Sequence, residues 1–158
     1  MLPKLTGLCV SAMILAAASQ AAGEEPGFAW TTNSDGGKAY LVYGSTETGE
    51  DYLYSLGCDG KRKSSDMTVY VDIAGTKVGD PVAIAFGPGK LSVPGRIATD
   101  EMSGFHFAET AGFNIKPLIA VLREKGPVMV KTGDVVTTLP EAGRGKAVGK
   151  FAKSCALD

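Results

Sequence analysis

From position 27 onward, apolar residues of this 158-residue chain fall in short alternating runs rich in valine, tyrosine and isoleucine. Clusters of glycine, asparagine and aspartate separate them, which is strand periodicity with turn punctuation. The pattern predicts strands over Ala29–Thr32, Lys38–Tyr43, Asp51–Cys58, Met67–Ile73, Pro81–Phe86, Lys90–Val93, Ser103–Ala108, Val128–Lys131 and Val135–Leu139. In the third, Tyr52, Tyr54, Leu56 and Cys58 share one face, because side chains alternate along a strand. Two stretches read as helix instead. Ile115, Leu118, Ile119 and Leu122 repeat at helical spacing behind Asn114, a candidate cap, with Pro117 tolerated in the first turn. Ala147, Val148, Phe151, Ala152 and Cys155 do the same near the C-terminus, with Lys146, Lys150 and Lys153 on the solvent side. The expected architecture is mainly β: an antiparallel sandwich or barrel-like domain with one short inserted helix and one short C-terminal helix. Alternating βαβ order is absent, which excludes a doubly wound fold.

The first 22 residues follow a different rule. Lys4 precedes an apolar core from Leu5 to Ala18, and small residues close it at Ser19-Gln20-Ala21 or Ala21-Ala22-Gly23. That is the plan of a secretory signal peptide, too short to span a bilayer as a helix. Cys9 does not follow the apolar core, and bulky Leu8 precedes it, so it does not read as a lipoprotein anchor. The expected mature chain starts near residues 22–24 as a single β-rich domain over 23–158, exported to the periplasm and free of any membrane insertion. Its cysteines are then Cys58 and Cys155, and an even pair in an exported protein reads as a disulfide. It would close a loop of about 97 residues, for which chain entropy gives roughly 4–5 kcal/mol at most.

Composition narrows the chemistry. Sixteen basic residues face 17 acidic ones and charged residues are 21%, so nothing calls for nucleic acid as a partner. His106 is the only histidine and would have to serve any nucleophile–histidine–acid triad. The serines lack a G-x-S-x-G elbow, and no metal-ligand or cofactor motif is present. Gly87-Pro88-Gly89-Lys90 and Gly143-Arg144-Gly145-Lys146 each stop short of a phosphate loop and read as turns. Lys61-Arg62-Lys63 forms a small basic hairpin tip, and Glu47, Glu50 and Asp51 an acidic counterpart. Trp30 reads as a core anchor. These absences favour a non-enzymatic binding or accessory domain; they do not specify its partner, for which another protein of the cell envelope is the expectation. An enzyme would have to rely on carboxylates alone, drawn from Asp100, Glu101 and Glu109.

Three segments carry a resemblance: the tryptophan and aromatic strand of W-TTNSDGGKAYLVYG, the cysteine-ended strand DYLYSLGC, and the closing VMVKTGDVVTTLPEAGRGKAVGKFAKSC. Together they resemble a loose group of small exported proteobacterial proteins. The closing segment is similar in layout to the invasion-associated locus B family, in which a β pair precedes a final short helix; that family transfers no catalytic residue. Ser103-Gly104-Phe105-His106-Phe107 is similar to the loop by which periplasmic lysozyme inhibitors block a cleft, with phenylalanine where tyrosine is usual. That resemblance implies partner-binding roles for Ser103, Gly104, Phe105 and His106. Burial separates the possibilities: a core strand would turn Phe105 and Phe107 inward, and a reading loop would expose Ser103 and at least one ring.

Overall fold

A computed structural model describes residues 27–49, 51–60 and 64–157. The expected signal peptide, Glu50 and the basic tip Lys61-Arg62-Lys63 lie outside the described residues. The elements, in chain order, are β1 (Phe28–Asp35), β2 (Lys38–Ser45), β3 (Tyr52–Asp59), β4 (Ser64–Val69), β5 (Pro81–Phe86), β6 (Leu91–Thr99), β7 (His106–Ala111), α1 (Lys116–Leu122), β8 (Val128–Thr132), β9 (Val135–Leu139) and α2 (Arg144–Ser154).

All nine strands belong to one antiparallel sheet in the order β1-β2-β3-β4-β7-β6-β5-β8-β9. The sheet curls on itself. The Tyr54 ring on β3 lies 6.2 Å from that of Phe86 on β5, although three strands separate them in the sheet. Trp30 on edge strand β1 donates its indole N–H to the Pro140 carbonyl just past the other edge, at 3.0 Å. The two edges approach without pairing, so the fold is a half-barrel rather than a two-sheet sandwich. Its concave side holds the core, where Leu41, Tyr54, Leu56, Ile84, Phe86 and Ile97 are fully buried. Helix α2 fills the remaining opening with Ala147, Val148, Phe151 and Ala152, leaving Lys146, Lys150 and Lys153 in solvent. Cys58 and Cys155 are joined as a disulfide, with their Cα atoms 6.1 Å apart, tying the end of α2 to β3.

Several expectations move. Strand β4 begins at Ser64 and ends at Val69, because Ser65 and Asp66 continue the pairing with Cys58 and Gly57. Strand β6 runs on to Thr99 through Pro94-Gly95. A Cβ at position 95 would sit 2.8 Å from the Glu109 carbonyl, so glycine there lets β7 approach. Strand β7 begins at His106, not Ser103. Gly143-Arg144-Gly145-Lys146 is not a turn: Gly143, at φ 75°, precedes α2 and the other three residues open it. Ile115 occupies the cap position of α1, while Asn114 accepts the Lys116 amide at 3.2 Å.

The third strand carries the change that matters most for function. Tyr43 faces Tyr54 but Gly44 faces Tyr52, so Leu53 is an extra residue, a β-bulge. One inserted residue reverses the alternation. Tyr54 stays in the core and Tyr52 turns to the convex face. Gly44 permits this, since a Cβ there would lie 2.6 Å from the Asp51 carbonyl and 2.8 Å from Tyr52 Cβ.

Candidate binding groove on the convex face

The bulge brings Tyr52 beside Tyr70, which follows β4. The rings are 5.3 Å apart and tilted by 35°. Tyr70 also meets Phe107 at 4.9 Å and Phe105 at 4.6 Å, the latter edge to face. Three rings, from β3 and from the stretch entering β7, thus surround Tyr70 on the outside of the sheet, and all four are half-buried. Phe107 points outward because its neighbour Ala108, fully buried, takes the inward position. The inward packing expected for Phe105 and Phe107 in a plain core strand does not occur.

The loop joining β6 to β7 fixes one wall of this cluster. Asp100 Oδ1 accepts the Met102 amide at 2.9 Å, the Ser103 amide at 2.6 Å and the Ser103 hydroxyl at 2.8 Å. Its other oxygen accepts the Tyr70 hydroxyl. These donors, that of Tyr70 foremost, hold the Asp100 carboxyl down at about 2. The same bond to Asp100, helped by burial, pushes the Tyr70 phenol up to about 12. Gly104 sits at φ 74°, a left-handed conformation that suits glycine in this tight turn.

Between the walls lies an open groove of about 440 Å³, floored by Tyr52, Tyr70 and Phe107 and rimmed by Asp51, Asp100 and Glu101. Among the described residues, its lining includes three carboxylates and no basic side chain.

Of the sequence-predicted residues, Ser103 and Gly104 are exposed at the tip of the β6–β7 loop, beside the groove. Phe105 leans on Tyr70. His106 is half-buried and turned away, its Nδ1 3.2 Å from the Thr76 hydroxyl. Glu101 lines the groove and Glu109 does not, so those two carboxylates do not face one cavity. Cys58 and Cys155 serve the fold. Tyr52, Tyr70 and Asp51 were missed as site residues, and Gly44 is the sequence signal for the bulge that aims Tyr52.

The class of molecule is therefore a disulfide-tied antiparallel half-barrel with a groove on its uncovered face. Among solved structures it is similar to invasion associated protein B from Bartonella henselae, at 15% identity and a TM-score of 0.49, covering 82% of this chain and 95% of that one. At that level the likeness says nothing of function. No protein-family model and no curated protein matches the chain.

Proposed function

We propose that the protein is an exported, non-enzymatic binding domain that engages a protein of the cell envelope through the convex-face groove. The observation that carries this is the aromatic cluster itself. Four rings gathered on the convex face half-bury one another, and three of them line an open groove, a concave aromatic site of the kind that binds ligands and partners. Aromatic side chains are also the residues that anchor interfaces. The signal peptide read from the sequence supports export, and no helix among the described residues is long and apolar enough to cross a membrane.

A photo-crosslinking amino acid at exposed Thr99, on the groove, tests the proposal against the same probe at Lys150, on the solvent side of α2. Irradiation of intact cells is expected to give a discrete adduct from position 99 and none from position 150. Equal adducts, or none at 99, would overturn the proposal. So would hydrolysis of cell-wall glycan that is lost on Glu101→Gln.

A second reading, inhibition of a lysozyme by the β6–β7 loop, is favoured by the exposure of Ser103 and Gly104. The Ser103 hydroxyl is turned back to Asp100, so entry into a cleft would require it to change partner. Titration against lysozymes of different types tests this, and no inhibition at micromolar protein retires it.

A further inference from the structure

We infer that the groove is a subsite for a basic side chain, a lysine or arginine presented by the protein partner. The inference rests on the binding-domain proposal and names the chemistry its partner must bring. Tyr52, Tyr70 and Phe107 present rings whose faces carry the negative end of the aromatic quadrupole, which attracts a cation placed over them. Tyr70 is the most electron-rich of the three. Its hydroxyl donates to the Asp100 carboxylate, which pushes electron density into the ring and strengthens that attraction.

The rim adds formal charge. Asp51 comes from the β2–β3 connection, whereas Asp100 and Glu101 come from the β6–β7 loop, so carboxylates flank the rings from separate loops. Asp100 is fixed in place by four donors from its own surroundings, so its charge is held at the groove before any ligand arrives.

An anion would be repelled by this lining. A bare divalent ion would need converging oxygens, and no group of three or more metal-ligating side chains occurs among the described residues. A neutral sugar would use the rings but would leave the carboxylate charge without a counterpart. An apolar side chain would have the same deficiency. A long alkyl stem ending in an ammonium or guanidinium meets both features, its methylenes against the rings and its charge toward the rim.

The test uses the folded chain without its signal peptide and small probes in place of the partner. Acetyl-arginine amide and acetyl-lysine amide are titrated while the aromatic NMR signals of Tyr52, Tyr70 and Phe107 are followed. Acetyl-citrulline amide and acetyl-norleucine amide serve as uncharged counterparts, and a trimer of N-acetylglucosamine as the glycan. The expected result is saturable millimolar binding of the two cationic probes, centred on those three rings. It should weaken about fivefold in Glu101→Gln or Asp51→Asn and fall further as salt is raised. Both variants are made at exposed positions, and an unfolding midpoint equal to the parent's establishes that a loss reads the site.

The inference is overturned if neither cation shifts these rings by 50 mM, if the uncharged probes shift them equally, or if the glycan alone binds. A Thr99 adduct in cells together with silent cationic probes would leave the binding domain standing and remove its proposed ligand. Binding of the cationic probes with no adduct would keep the subsite and remove the envelope-protein partner.

Discussion

Arg144 offers the most exacting prediction about what holds the half-barrel closed. It is 1% exposed, and all five of its N–H groups are used. Nε donates to the Leu122 carbonyl at 2.9 Å, Nη1 to Leu139 at 3.1 Å and Pro140 at 3.0 Å, and Nη2 to Glu124 at 2.7 Å and Gly126 at 2.6 Å. One guanidinium thereby gathers the end of α1, the turn after it and the end of β9 onto the first turn of α2. Pro140 accepts Trp30 from the opposite edge as well, so the same carbonyl joins the Arg144 knot to β1.

Each hydrogen bond to a charged donor is worth about 1.5–3 kcal/mol net, but burying the guanidinium costs several kcal/mol in return. Arg144→Met leaves five carbonyls without their donor at about 1–3 kcal/mol for each that water cannot reach, offset by the regained desolvation, for a net loss of about 3–5 kcal/mol, a large share of the 5–15 kcal/mol that stabilises an ordinary domain. Arg144→Met is predicted to lose that amount in urea unfolding, read from the midpoint with the slope unchanged. Arg144→Lys keeps the charge but presents a three-donor point in place of the planar fork, so it should lose at least half as much. In hydrogen exchange, both variants should open residues 122–126 before the strands of the sheet. A loss under about 1 kcal/mol for Arg144→Met, or a lysine variant as stable as the parent, would refute the argument.

Removing the bridge with Cys58→Ser and Cys155→Ser should cost about 2–5 kcal/mol and raise hydrogen exchange in α2 before any strand. Gly44→Ala should cost about 1–3 kcal/mol by overpacking and displace the Tyr52 ring signals, because the new methyl meets the Asp51 carbonyl and Tyr52. The Asp100–Tyr70 bond sets two pH limits. Asp100, lowered to about 2, contributes stability above the ordinary carboxylate range that disappears as pH falls toward 2. Tyr70, raised to about 12, contributes stability below the ordinary phenol range near 10 that disappears as pH rises toward 12. Ultraviolet titration should find Tyr70 ionising late alongside Tyr52 and Tyr54, whose phenols burial pushes up, and Asp100→Asn should bring one of these late steps to lower pH.

Much of the architecture was readable from local rules. Pro81–Phe86 and Val135–Leu139 match their observed bounds, since each is a short run of strand-forming residues between clear turn signals. The disulfide followed from counting cysteines in a chain that reads as exported. What failed depended on partners distant in sequence. Ser64 and Ser65 look like turn residues, yet Ser65 is buried and its hydroxyl donates to the Phe113 carbonyl at 2.5 Å. Pro94-Gly95 looks like a break, yet the strand continues because β7 needs the space. Arg144 looked like part of a glycine-rich turn, and nothing local shows that five carbonyls from two other segments converge on it.

The groove was half legible. Asp100, Glu101 and Ser103–Phe107 drew attention, but the rings were assigned to the wrong side. Perfect alternation put Tyr52 with Tyr54, and a single bulge at Leu53 reverses that. Tyr70 stood inside an expected strand that in fact stops one residue earlier, which hid its part as the hub of the cluster.

Whether partner binding runs through the acidic, aromatic face is tested most directly by charge reversal at the groove in living cells. With the photo-crosslinker at Thr99, the doubly reversed Asp51→Lys/Glu101→Lys protein should be exported and folded normally and should give no adduct. An adduct of undiminished intensity from that variant would contradict the assignment of the groove as the binding surface.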